Sequence, residues 1–141
     1  MSRGLGDVYK RQYLIIFIIE HELSHDINGS QGKKINKNIN DVMRYIDSNY
    51  MTDINVDNIC KLFSFSSSHF SRLFKQNTGE AFSRYLSKVR LEHAIVLLSN
   101  TDKPIDEIAY ECGFKSTSYF SYAFKKEFLV SPLKYRMQMN G

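Results

Sequence analysis

The chain has 141 residues, 43% of them hydrophobic and 24% charged, and a formal net charge of +4. This is the composition of an ordinary soluble globular protein, with room for one small domain or two lobes around a modest core. It excludes a membrane span: the longest apolar run, residues 14–19, falls far short of the roughly 20 residues that a span needs.

Residues 2–12, "SRGLGDVYKRQ", resemble a translated sequencing adaptor and are set aside from the fold. They carry a net +2 of the formal charge, so bulk charge argues little for a polyanionic partner. The resemblance also implies that the chain is a fragment. Residues 13–26, "YLIIFIIEHELSHD", read as a helix with a broad apolar face. Residues 27–38 are rich in Gly, Asn and Lys, as a linker is. A helix over 39–48 turns Val42, Tyr45 and Ile46 to one side.

Next comes a short amphipathic helix, "VDNICKLFSF", for which Asn55 is the expected N-cap. A second helix, "SSSHFSRLFKQ", follows after a tight turn and ends at Gly79, a natural C-cap. Residues 80–98 form the longest helix, with Phe82, Tyr85, Leu86, Val89, Ala94, Leu97 and Leu98 inward. "SNTDKP" breaks it. The pattern then recurs: "IDEIAYECGF", with Pro104 at its start, and "KSTSYFSYAFKK". "SPLKYR" opens a last short helix with Pro132 in its first turn.

The recurrence is an internal repeat. Phe65, Phe70, Phe74 and Lys75 match Phe114, Phe120, Phe124 and Lys125, about fifty residues apart, and the second copy has one extra residue in its turn. Gly113 suits the positive φ that ends a helix, whereas the first copy has Ser64 there. Helix, tight turn, helix is a helix-turn-helix unit, and there are two, at about 55–77 and 105–128. The expected fold is all-α: two helix-turn-helix lobes joined by a long central helix, with no strand. Cys60 and Cys112 fall at apolar positions in the short helices and read as buried thiols, not as a disulfide or metal pair.

Charge is segregated along the chain. Lys61, Arg72, Lys75, Arg84, Lys88 and Arg90 stand against Glu80 alone, and Lys115, Lys125, Lys126, Lys134 and Arg136 against Glu127. Acids gather at Asp41, Asp47, Asp53 and Asp57, and at Glu92, Asp102, Asp106, Glu107 and Glu111. Two basic surfaces, each at the second helix of a repeat, suit a polyanion.

The segments "SHFSRLFKQNTGEAFSRYL", "RLEHAIVLL", "IDEIAYECGFKSTSYFSYAFKK" and "SPLKYR", in this order and spacing, resemble the DNA-binding domain of AraC/XylS-type transcription regulators over residues 39–138. The family usually has Gly where this chain has Leu129, and often Arg where it has Tyr122. The resemblance implies a cytoplasmic, sequence-specific DNA-binding activator and no enzyme, cofactor or metal. Its implied partners are double-stranded DNA and RNA polymerase. It makes residues 13–38 the end of a truncated sensor or dimerisation domain plus linker, through which the full-length protein forms a homodimer.

In each second helix the phenylalanines pin one face to the lobe, and Ser67 and Ser116 can cap the start. The outward face is left to read DNA. Base contacts are expected from Ser68, Ser71 and Arg72, with Arg72 bidentate to guanine, and from Thr117, Ser118, Ser121 and Tyr122. Phosphate contacts are expected from Lys75, Arg84, Lys125 and Lys126. The long helix should set the two reading helices about 34 Å apart, one turn of DNA. A rival reading starts from "HELSH", an H-E-x-x-H pattern in which His21 and His25 could bind zinc and Glu22 act as base, as in a metalloprotease fragment. It lacks a third ligand, and the polar side of an amphipathic helix explains the same residues.

Overall fold

The structure, a computed structural model, describes residues 35–140. Among these residues are seven α-helices and no strand: α1 (Ile35–Asn49), α2 (Val56–Phe63), α3 (Ser67–Thr78), α4 (Phe82–Asn100), α5 (Ile105–Glu111), α6 (Thr117–Phe128) and α7 (Pro132–Asn140). The all-α expectation holds. The helix expected over 13–26, with its HELSH segment, lies outside the described residues. α1 begins inside the segment expected to be linker. A packed stripe of Ile39, Val42, Met43 and Ile46 stabilises α1, and helix propagates upstream from such a nucleus at little cost.

Two compact units divide the chain, one ending at Val89 and the other including everything described from Arg90 on. In the first, α1 supplies the stripe just named, α2 adds Ile59 and Cys60, and α3 adds Phe70, Leu73 and Phe74. The start of α4 closes this core with Phe82, Tyr85, Leu86 and Val89. In the second unit the later half of α4 takes the place of α1. Its Leu91, Ala94, Ile95 and Leu98 repeat the spacing of Ile39, Val42, Met43 and Ile46. Ile108 and Ala109 of α5, Phe120, Ala123, Phe124 and Phe128 of α6, and Tyr135 of α7 complete it. α4 therefore carries two apolar stripes in succession, and the i, i+3/i+4 spacing breaks between Val89 and Leu91. Leu91 and Ile95, which a single inward face along the whole helix leaves out, belong to the second stripe.

The repeat is longer in the structure than in the sequence reading. Phe74 meets Tyr85 edge-on at 5.3 Å, and Phe124 meets Tyr135 edge-on at 5.6 Å. The tight turns also match. Phe65 N–H donates to the Cys60 carbonyl at 3.0 Å and Phe114 N–H to the Ala109 carbonyl at 2.9 Å, each just after a residue of positive φ. These are Schellman-type closures, made by Gly113 (φ 96°) in one copy and by Ser64 (φ 60°) in the other.

Both cysteines are buried free thiols, one in each core. Burial, and secondarily the Glu111 carboxylate, push the Cys112 thiol up to about 12 against the opposing pull of Arg90. Among the described residues no helix is long and apolar enough to cross a membrane, and no group of His, Cys, Asp and Glu could hold a metal ion.

α3 and α6 end in the same way. Gly79 (φ 82°) donates its N–H to the Lys75 carbonyl at 2.8 Å, and Leu129 (φ 66°) donates to the Lys125 carbonyl at 2.7 Å. A left-handed residue with a Cβ is strained by roughly 1–2 kcal/mol, and Leu129 is 75% exposed, so its side chain offsets little of this by burial. Leu129→Gly should accordingly stabilise the second unit by about 1 kcal/mol, after the added freedom of the unfolded chain is subtracted. A shift of the urea midpoint to higher concentration checks it. The opposite change is expected at Phe124, which is fully buried and touches Phe120, Phe128 and Tyr135. Phe124→Ala should destabilise the unit by about 3–5 kcal/mol, with thermal melting as the measurement.

Candidate nucleic-acid interface

Position along α3 decides which side chains face out. Phe70, Leu73 and Phe74 are buried, so Ser68, Ser71, Arg72 and Lys75, spaced i, i+3, i+4, i+7, form one exposed stripe. In α6 the buried set is Phe120, Ala123, Phe124 and Phe128. Ser118, Tyr122, Lys125 and Lys126 are exposed, while Thr117 and Ser121 are half-buried. The expected reading residues thus share one face within each helix. Two of the second set are only partly accessible.

Each helix start is held by a serine. Ser66 Oγ accepts from His69 N–H at 3.3 Å, and Ser116 Oγ accepts from Tyr119 N–H at 3.1 Å. The cap of α3 is therefore Ser66, not Ser67. The hydroxyl must sit in extended backbone one residue before the helix, and Ser66 does so at φ −78°, ψ 151°. Ser67 is the first helical residue. Asn55, expected as the cap of α2, accepts from Asn58 N–H at 2.9 Å.

Electrostatics narrow the two basic surfaces relative to a count along the chain. Glu80 meets Lys88 Nζ at 3.0 Å and Arg84 Nε at 3.7 Å. Arg84 is still 53% exposed, and its 3.7 Å contact with Glu80 is too long for a hydrogen bond, so its guanidinium keeps access to a phosphate. Arg90 lies 6.0 Å above the Phe114 ring. The Arg136 guanidinium points inward. It donates to the carbonyls of Lys103 at 2.6 Å, Thr101 at 3.2 Å and Leu98 at 3.3 Å, tying α7 to the end of α4 and the loop after it. Lys103 pairs with Glu111 at 2.5 Å, and that hydrogen bond raises its pKa. Lys61, Arg72 and Lys75 in the first unit, and Lys115, Lys125, Lys126 and Lys134 in the second, remain exposed.

Two exposed aromatic positions escaped the sequence reading, His69 and Tyr119, each the third residue of its helix. Each rests on the phenylalanine before the helix: His69 on Phe65 at 5.8 Å and Tyr119 on Phe114 at 6.2 Å. Aligning the two repeats residue by residue through this position would have found the pair.

Comparisons with known proteins agree with this architecture. A family described as "Helix-turn-helix domain" matches residues 59–138. The lactose operon transcription activator of Staphylococcus xylosus is 31% identical over 137 residues, covering 96% of this chain and 49% of that protein. The C-terminal domain of AraT, a response regulator from Geobacillus stearothermophilus, superposes with a TM-score of 0.68 at 33% identity, over 77% of this chain and 87% of that one. The DNA-binding domain of AdpA, a global transcriptional factor solved in complex with a target DNA, gives a TM-score of 0.67 at 28% identity, over 69% and 87%. The chain spans about half the length, or less, of the curated relatives it matches. The zinc reading draws no support from these similarities. Two repeated helix-turn-helix units with outward polar stripes, matched by this family over residues 59–138, place the chain in the AraC/XylS family of transcription regulators, as a DNA-binding domain.

Proposed function

We propose that the chain is the reading module of a sequence-specific activator that lays α3 and α6 in two successive major grooves. The observation that carries this is the stripe along each helix, opposite its buried phenylalanines. Ser68, Ser71, Arg72 and Lys75 line the first; Ser118, Ser121, Tyr122 and Lys125 line the second. Small hydroxyl side chains near the N-terminus let a helix approach base edges in a groove about 12 Å wide. Arg72 has the only guanidinium on either stripe and is the guanine reader. Ser68, Ser71, Thr117, Ser118, Ser121 and Tyr122 are the remaining base contacts. Lys75, Arg84, Lys125 and Lys126 hold phosphate and fix the register. Activation is inferred from relatives such as the lactose operon activator. Contact with RNA polymerase, and pairing of full-length protomers through an N-terminal domain, belong to the same reading.

Footprinting of the full chain on a site enriched from a randomised duplex library is the direct test. Protection of two adjacent major grooves on one face is expected, and protection of a single groove would leave only one unit reading DNA. Arg72→Ala should cost about 1–3 kcal/mol at one base-pair position and relax the preference there. Binding titrations on the cognate site and on a site altered at that position check this, since equal weakening on both would make Arg72 a phosphate contact. Lys75→Ala and Lys125→Ala should each weaken binding alike on all sequences. Each should lower the slope of log affinity against log salt by about one. The two residues lie in separate units, so their effects should add to within about 0.5 kcal/mol in the double variant.

A further inference from the structure

The two reading helices differ in chemistry at equivalent positions. α3 presents Arg72, whereas α6 presents Tyr122, and around Tyr122 the structure has an arrangement that α3 lacks. The Tyr122 ring is 63% exposed and lies 6.5 Å from the Tyr119 ring, which is itself 56% exposed, at an interplanar angle of 34°. Tyr119 rests on Phe114 at 6.2 Å, and Phe114 is buried against Phe120 at 5.1 Å. On the other side of Tyr122, Lys126 Nζ lies 6.0 Å from the ring centroid. A chain of rings therefore runs from the core of the second unit to its surface and ends in two tyrosines beside a cation.

Resting on the reading of α6 as a DNA-contacting helix, we infer that Tyr119 and Tyr122 form an apolar plate that selects thymine through its C5 methyl group. The major-groove edge of a base pair offers hydrogen-bonding atoms and, at thymine alone, a methyl group. A guanidinium suits the acceptor pair of guanine. A phenol ring offers no bidentate donor, and its large apolar face suits a methyl. Tyr122 lies one turn into α6 on the same stripe as Ser118 and Lys125, continuous with the proposed reading face, and Tyr119 extends the plate toward the helix N-terminus. Lys125 and Lys126 supply the positive charge that brings phosphate alongside. The first unit reads guanine through Arg72 and the second reads thymine through its tyrosines.

The test uses the full chain to enrich sites from a randomised duplex library. Each dT of the recovered site is then replaced singly by dU, which removes only the methyl. One or more replacements should weaken binding roughly fourfold, the worth of burying one methyl group. That penalty should vanish in Tyr122→Ala and persist in Tyr122→Phe, which keeps the ring and deletes the hydroxyl. Tyr119→Ala should diminish it, with melting followed because Tyr119 packs on Phe114. If dU costs nothing at any position, or costs Tyr122→Ala as much as the parent, the inference is overturned while DNA reading stands. Loss of the penalty in Tyr122→Phe would overturn it too, since the hydroxyl and not the ring would then be responsible. Failure to enrich any sequence would overturn both the inference and the reading beneath it.

Discussion

Two phenylalanines one helical turn apart, buried on the same side of a twelve-residue helix, fix what each unit can offer to a partner. Phe70 and Phe74 in α3, and Phe120 and Phe124 in α6, lock the rotation of their helix against its core. Once that face is inside, the hundred-degree step between residues determines which side chains are outside. The polar stripe follows from the buried pair. A closing tyrosine, Tyr85 or Tyr135, meets the second phenylalanine of each pair edge-on.

The same scaffold carries different chemistry in its two copies. A planar cation and a ring are opposite answers to how a helix recognises a base pair, one by directed donors and one by surface. The difference is confined to exposed positions and leaves the cores alike. That is how a duplicated module can diversify its target without refolding. The strained left-handed turn at Leu129 is a second place where the copies have drifted apart. It keeps the geometry of Gly79 in spite of its side chain.

Much of this was legible in the sequence because it rests on local periodicity. The phenylalanine spacing, the caps at Asn55 and Ser116, and the positive φ of Gly113 and Gly79 are all written within a few residues of where they act. What could not be read depends on distant partners. The change of stripe in α4 appears only once two separate cores are known to compete for one helix. Arg136 looked like surface charge because its acceptors are main-chain carbonyls 33 to 38 residues away, which no side-chain pattern marks. Ser66 and Ser67 were indistinguishable by type, and only the backbone shows which one precedes the helix. Thr117 and Ser121 looked as open as their neighbours, and the fold half-covers them.

Arg136 also bears on how long the second unit has to be. Its guanidinium supplies donors to three carbonyls at the end of α4 and in the loop that leads into α5. A version of the chain cut after α6 would retain every residue of the outward stripe and lose both that clamp and the buried Tyr135. A self-sufficient form therefore extends at least through Arg136, well beyond Lys126, the last residue expected to touch DNA. The end of the domain is set by the hydrogen-bonding needs of a loop, not by the reach of its reading helix.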